Sequence, residues 1–515
     1  MHRTIAALGL LATALGGTAQ AEAPAGGQAS VTVREGRLAG VSAEGIDSFK
    51  GIPFAAPPVG DLRWRAPQPA AAWQGTRDAS HYGDACVQPV FDPARAFPMS
   101  EDCLTLNVWA PAAARKGRAL PVMLWIHGGG SFVGSGRDPL FDGAALAREG
   151  VIVVTVNYRL GALGYFVHPA ISAENAAAVP RAEKGLLANY GLMDQRAAMR
   201  WVQRNIAAFG GDPGQVTIFG ESAGGCYVNM WMTSPAAKGL FARAISHSCP
   251  EYIESRSMTE GAARGEKLAR SLGVTGADGA SLARLRARPA ADFVSAAAIK
   301  GTYPFIDGRI VREDPFRAVE AGRVAKLPWM LGSNSFDASY LPAFGVDITK
   351  PLAAYTPIES TRILATYDAA RQGEQRAAMH FLSDMVMGAG DRRFAQAAAA
   401  KGAPTWLYSF RYEGTQAAAG SLGVSHGDEL AYVFGNPGQA SALRSDADRG
   451  VSARVRVLWT DFAKGRLPLT DSWSAARRTI VIGQDGAVAP VTDFHRERLD
   501  LAAPFARNAA GPWDP

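Results

Sequence analysis

Past its N-terminal segment the sequence has no run of eighteen uncharged apolar residues, about the length a membrane-spanning helix needs. It has no block of Lys and Arg and no basic stripe interleaved with aromatics. Its 53 basic and 47 acidic residues are spread along the chain for a net charge of +6. That excess reads as a solvated surface, with no nucleic acid or membrane expected as partner. No G-x-x-x-x-G-K-[ST] loop occurs, and the glycine-rich stretch 128–136 opens no helix, so a nucleotide is disfavoured. No Cys/His spacing suits a metal, and no cofactor is expected. Without an internal repeat of 20–50 residues, solenoids and propellers are excluded. The 56 Gly and 31 Pro have no three-residue period, and 48% hydrophobic against 19% charged residues excludes a disordered chain.

What is present begins with an export signal. Arg3, the apolar Ile5–Leu15 and the small-x-small Ala19-Gln20-Ala21 before Glu22 read as a secretory signal peptide over 1–21. The mature chain, 22–515, is expected to be exported, periplasmic or secreted, and to fold as one domain. Export permits disulfides. Cys86 and Cys103, if bridged, close a loop worth about 3 kcal/mol on the chain-entropy model.

The middle of the chain alternates strand and helix. Pro121–Ile126 and Val151–Tyr158 are apolar on both faces, as buried parallel strands are. Ala198, Trp201, Val202 and Ile206 recur at helical spacing. Gln215–Phe219 reads as a strand running directly into Gly220-Glu221-Ser222-Ala223-Gly224 and a helix to Met232. Later strand candidates are Ala242–Ser246, Leu327–Leu331 and Thr405–Tyr412, and 256–300 is helical in pattern. This alternation implies an α/β fold with a mainly parallel sheet and helical insertions.

Gly220–Gly224 fits G-x-S-x-G in the context that gives it a mechanism: a sharp strand-to-helix turn exposes the Ser222 hydroxyl over a helix N-terminus. The bare pentapeptide is cheap in so glycine-rich a chain; the flanking strand and helix make it specific. His127-Gly128-Gly129-Gly130 follows another buried strand, as the oxyanion loop of lipases and esterases does. Three glycines let the backbone turn N–H groups toward a ligand. The bland alternative is a tight turn.

At these residues the chain resembles the type-B carboxylesterase family. Phe209–Gly224 matches the family's serine signature and Glu101–Pro111 its second signature. Residues 49–64, 157–166, 189–206 and 426–435 are also similar to it. The resemblance implies the α/β-hydrolase fold and hydrolysis of small-molecule esters through an acyl-enzyme. It implies Ser222 as nucleophile, His426 as base, and oxyanion donors at Gly129, Gly130 and Ala223, with Glu221 and Ser248 supporting the triad. Asp337 falls where the family usually has Glu. One methylene shorter, it requires a shift of backbone or His426, or a longer bond; Asp428, Asp307 and Glu429 are its rivals. Arg63 with Glu101, and Arg159 with Asp194, match positions of buried ion pairs in the family.

Substrate identity is less legible. The Cys86–Cys103 loop has Phe91 and Phe97 but no Trp, which argues against choline esters. Residues near Ser131-Phe132, Trp231 and Tyr303–Phe305 are candidate pocket walls. A general carboxylesterase is the first reading. The alternatives are an esterase specialised for a detoxification target, a plant phenolic ester or a polyester, or an amidase or carbamate hydrolase on the same triad. A non-catalytic adhesion module is disfavoured because Ser222 and His426 are both present. Cys226 and Cys249, at the start of the nucleophile helix and the end of the next strand, both face the active-site edge. A second bridge there and two small buried thiols are equally open.

Overall fold

The computed structural model describes residues 27–93, 96–178, 188–249, 256–295, 303–344, 346–348, 350–417, 420–436, 443–466 and 477–508. The signal-peptide segment lies outside them. Thirteen strands form one sheet: β1 (Gly27–Val33), β2 (Gly36–Ala43), β3 (Ile46–Pro53), β4 (Thr76–Asp78), β5 (Thr105–Pro111), β6 (Leu120–Ile126), β7 (Ile152–Val156), β8 (Gly211–Glu221), β9 (Arg243–His247), β10 (Trp329–Asn334), β11 (Thr405–Phe410), β12 (Arg478–Ile482) and β13 (Val488–Thr492). Their order is β1-β2-β3-β5-β7-β6-β8-β9-β10-β11-β12-β13, with β4 beside β2. Strands β7 to β12 are mutually parallel, and antiparallel pairs finish both edges.

Period-two alternation divides the central strands between two apolar layers. Val122, Leu124, Ile126, Val216, Ile218 and Leu331 face one layer; Met123, Trp125, Phe219, Ile245 and Met330 face the other. Each fully buried side chain of this size stabilises by about 1.5–3 kcal/mol, so both faces must be covered. Helices α1 (Tyr190–Asn205) and α2 (Ala223–Thr233) pack into the first layer through Trp201, Val202, Tyr227 and Val228; α3 (Asp446–Ala463) covers the second through Val455, Trp459 and Phe462. A third cluster of helical insertions runs from Phe336 to Ala389 and is closed by Leu501, Ala502 and Ala506.

Expected strands and helices recur within a few residues of their bounds. The nucleophile strand is longer than expected, reaching back to Gly211. The edge strands β1–β3 and β12–β13 had no counterpart among the expected strands. Their exposure alternates or is high, so their apolar runs are short. Among the described residues no helix is long and apolar enough to cross a membrane. Both candidate cysteine pairs are bridged, Cys86–Cys103 and Cys226–Cys249, each with Cα atoms 5.0 Å apart. Both ion pairs that the resemblance implied form: Arg159–Asp194 (Nε to Oδ2, 2.8 Å) is buried, whereas Arg63–Glu101 (Nε to Oε1, 2.7 Å) leaves Glu101 partly exposed.

Candidate active site

Strand β8 ends at Glu221 and α2 begins at Ala223, so Ser222 alone makes the turn, at φ +55° and ψ −128°. Positive φ at a residue with a Cβ costs of order 1–3 kcal/mol and must be imposed by its surroundings. Here Ser222 N–H donates to the His247 carbonyl at 3.0 Å, and Cys226 N–H donates to the Ser222 carbonyl at 3.0 Å. The spacing of glycines is steric: a Cβ at Gly220 would sit 2.6 Å from the Gly224 backbone, and one at Gly224 would strike the Ile126 carbonyl.

The His127–Gly130 loop leaves the adjacent strand β6 and packs on this turn. A Cβ at Gly128 would lie 3.0 Å from Ser222 Cβ and 2.7 Å from the Glu221 carbonyl oxygen. Gly129 and Gly130 have φ of +101° and +60°. The Gly129 carbonyl accepts from the N–H groups of Phe132 (3.1 Å) and Val133 (3.0 Å), which fixes the turn. Ser131 follows at φ +70°, and its Oγ accepts a 2.6 Å hydrogen bond from Tyr227 Oη, itself an acceptor from Tyr165 Oη at 2.8 Å. This buried hydroxyl chain ties the glycine loop to the nucleophile helix. Sequence reasoning missed it, since Tyr165 and Tyr227 meet only in three dimensions.

The chain's other two expected partners close on each other. His426 Nδ1 is 2.8 Å from Asp337 Oδ1. The other oxygen, Oδ2, accepts from Ser248 Oγ at 3.0 Å and from Asn334 N–H at 2.5 Å. The short aspartate therefore reaches His426 without the long bond its missing methylene suggested. His426 is held further by its N–H donating to Ser339 Oγ at 2.8 Å and by the Tyr340 ring, 4.9 Å away centroid to centroid. Asn334 and Ser339 lie in the same 332–339 stretch that pointed to Asp337; Tyr340 carried no signal.

The rivals for the acid are elsewhere. Glu429 faces His247, Nδ1 to Oε1 at 3.3 Å. Asp307 binds the backbone of its own loop at Arg309, Ile310 and Val311. Burial, followed by the Glu429 charge, pushes the Asp428 carboxyl up to about 6. Of the pocket candidates, Trp231 is a core residue whose Nε1 donates to Gln195 Oε1 at 2.9 Å, and Phe305 is likewise core. Phe132 is half-buried against Gly130 and meets the exposed Phe91 edge to face, ring centroids 6.3 Å apart.

His426 Nε2 lies 3.1 Å from Glu221 Oε1, next in sequence to Ser222. Among the described residues no hydrogen bond joins Ser222 Oγ to the imidazole. Burial alone would lower the affinity of His426 for a proton, but the Glu221 and Asp337 carboxylates outweigh it and raise the ring above its ordinary value. Burial raises Glu221 in turn. The site can thus hold a proton between a carboxylate and an imidazole beside a strained serine, with a helix N-terminus and a glycine loop to receive negative charge. Among the described residues no group of His, Cys, Asp and Glu is arranged to hold a metal ion.

The family model described as "Carboxylesterase family" matches residues 27–481. The chain belongs to the carboxylesterase family. As a carboxylesterase it hydrolyses carboxylic esters on an α/β-hydrolase fold. It is 35% identical to the fumonisin B1 esterase of Sphingopyxis macrogoltabida, over 84% of this chain and 82% of that protein. It is also 35% identical to the para-nitrobenzyl esterase of Bacillus subtilis, over 88% and 95%. A solved Geobacillus stearothermophilus carboxylesterase superposes with a TM-score of 0.76 at 32% identity, covering 92% of this chain and 99% of that one.

Proposed function

We propose that this carboxylesterase uses Ser222 as nucleophile, His426 as general base and then acid, and Asp337 as the carboxylate that orients the imidazole. The N–H groups of Gly129, Gly130 and Ala223 form its oxyanion hole. The observation that carries the reading is the 2.8 Å Asp337–His426 contact beside the one residue that turns from β8 into α2. Asp337 holds the His426 proton on Nδ1, so Nε2, which lies 3.1 Å from Glu221 Oε1, is the nitrogen that accepts the serine proton. Closure of the Ser222–His426 hydrogen bond then accompanies substrate binding, as is common when free sites are compared with complexes.

Ser222 Oγ attacks the ester carbonyl while its proton passes to His426 Nε2. The tetrahedral oxyanion is stabilised by the backbone donors, and His426 protonates the departing alcohol. Water, deprotonated by His426, then attacks the acyl-serine and releases the acid. Ser248 and Glu221 support the triad, through Asp337 and through His426.

The substrate is a small-molecule ester, and the mature chain works outside the cytoplasm after cleavage near Ala21 as one hydrolase domain. Two disulfides support export. The similarity to a fumonisin B1 esterase favours a second reading, an esterase specialised for a detoxification target. Hydrolysis of p-nitrophenyl esters of graded acyl length tests the first reading. Natural esters, amides and carbamates then separate the specialised ones. Ser222→Ala should fold normally and lose all but a trace of this turnover. An organophosphate should label Ser222 alone in the wild type. Substantial turnover by the alanine variant would reassign the nucleophile.

A further inference from the structure

Gly128, Gly129 and Gly130 have no side chains to fix them, and glycine backbone is the most permissive there is. The position of this loop must come from its flanks and from what packs beneath it. Among the described residues no hydrogen bond engages the Gly129 or Gly130 N–H, so both remain for an oxyanion. Where they point decides how well they stabilise one.

Three side chains hold the flanks. Tyr158 Oη donates to the His127 carbonyl at 2.5 Å, and its ring stacks on the His127 imidazole, centroids 4.2 Å apart. Gln88, from the Cys86–Cys103 loop, brackets the far end. Its Oε1 accepts from Gly134 N–H at 2.8 Å and its Nε2 donates to the Gly134 carbonyl at 3.0 Å. Between them Ser131 carries the turn at φ +70°. The Ser131 carbonyl accepts from Gly161 N–H at 2.8 Å, and its Oγ accepts from Tyr227 Oη at 2.6 Å.

Of these three anchors, Tyr227 is the one that comes from α2. Ala223 and Tyr227 are four residues apart, one turn along the same helical face. The bond to Ser131 therefore links the two halves of the oxyanion hole, Gly129 and Gly130 on the loop and Ala223 on the helix. Positive φ at a residue with a Cβ persists only while its contacts impose it, so Ser131 depends on this bond. The Tyr227 ring is itself fixed. It is fully buried, stacked on Tyr165 with centroids 6.2 Å apart and edge-on to Tyr158 at 5.6 Å. Tyr165 Oη donates to the Tyr227 oxygen at 2.8 Å, which directs the Tyr227 proton at Ser131. Burial pushes this phenol well above its ordinary value, so it remains a donor at neutral pH.

We propose that Tyr227 is a positioning residue for ester hydrolysis: through Ser131 it holds the Gly129 and Gly130 N–H groups at the spacing from Ala223 that the tetrahedral oxyanion requires. The inference rests on the oxyanion hole proposed above. Donors aimed at the oxyanion act more on the transition state than on the bound ester, so losing the anchor lowers kcat and leaves KM in place.

The test is steady-state kinetics on Tyr227→Phe, which keeps the ring and removes the hydroxyl. A fall in kcat of about tenfold or more is expected, short of the ~10²–10³ that losing an oxyanion donor outright costs. KM should hold, and so should the acid limb of the pH profile, because nothing beside His426 changes. A trifluoromethyl ketone reads the hole directly. Ser222 Oγ adds to its carbonyl carbon, the serine proton passes to His426, and the oxyanion occupies the hole with no leaving group to expel. Its affinity should fall together with kcat. Ser131→Ala, which removes the acceptor instead, should reproduce the loss, and the double variant should be no slower than either single one. Tyr165→Phe removes a buried hydroxyl bond one step further from the loop; it should lower the denaturation midpoint comparably and kcat much less. Wild-type kcat in Tyr227→Phe, additive losses in the double variant, or an equal loss in Tyr165→Phe overturns the proposal. Ser222→Ala separates this failure from that of the triad: with that variant inactive and Tyr227→Phe unimpaired, the nucleophile stands and only the role of Tyr227 falls.

Discussion

The Trp459 indole N–H donates to His247 Nε2 at 3.0 Å, and this one contact settles which nitrogen of a fully buried imidazole carries the proton. With Nε2 accepting, the proton sits on Nδ1 and points at Glu429 Oε1, 3.3 Å away. Glu429 Oε2 accepts from Asn334 Nδ2, and the Asn334 N–H holds Asp337 Oδ2. A chain of buried hydrogen bonds therefore runs from α3 through the sheet edge to the carboxylate beside His426.

Trp459→Phe keeps most of the packing and removes the donor at the head of that chain. A buried acceptor left unsatisfied costs about 1–3 kcal/mol, so the variant should unfold at correspondingly lower urea concentration. A fall in kcat without a comparable rise in KM is expected alongside. Wild-type stability in this variant would show that the His247 tautomer has no part in holding the site.

Asp337→Asn should give a folded enzyme slowed by roughly 10⁴-fold, because the amide stabilises the wrong His426 tautomer. Asp337 is fully buried, with both oxygens engaged, so Asp337→Glu must fit a methylene into filled space. It should be destabilised by about 1–3 kcal/mol despite restoring the family's usual length. Steady-state kinetics with denaturant unfolding on both variants separates the two effects. Full activity in Asp337→Asn would move the acid elsewhere.

The carboxylates around His426 set the pH profile. His426 must be neutral to accept the serine proton, and its affinity for a proton is raised to about 9 by Glu221 and Asp337 against the opposing effect of burial. The acid limb of kcat/KM should accordingly lie above the ordinary imidazole value of 6.5, with activity rising as pH climbs through it. Glu221→Gln removes one of the raising charges and should move that limb to lower pH. An unmoved limb would show that Glu221 does not act on the imidazole.

Thiol counting on denatured, unreduced protein should find no free cysteine. Replacing both Cys226 and Cys249 by Ser should lower stability by about 3 kcal/mol, the chain-entropy value for a loop of this size. Because Cys249 adjoins Ser248, whose hydroxyl holds Asp337, kcat should fall as well. Two free thiols in the wild type would leave Cys86–Cys103 as the only bridge.

The strand-turn-helix at Ser222 and the glycine loop after β6 were legible because their requirements are local. A turn with no room for a Cβ writes itself as glycine at fixed offsets, and a doubly buried strand as an unbroken apolar run. Asp337 and His426, 89 positions apart, were reached through family resemblance, since spacing along a chain says nothing about which carboxylate meets which imidazole. The pocket wall was misread at Trp231 for a related reason. An aromatic one turn from the end of an active-site helix can face either way, and here it faces the core.

The sequence by itself determined the alternation of buried strands and helices, the position of the nucleophile turn and the family. Each depends on residue type repeated at a backbone period or on steric limits within a few residues. Tertiary structure alone decided that Asp337 reaches His426 at 2.8 Å, that Cys226 pairs with Cys249, and that Tyr165, Tyr227 and Ser131 form one hydroxyl chain. These are contacts between distant segments, and their geometry is set by how the sheet stacks and where the loops return, which no local pattern records.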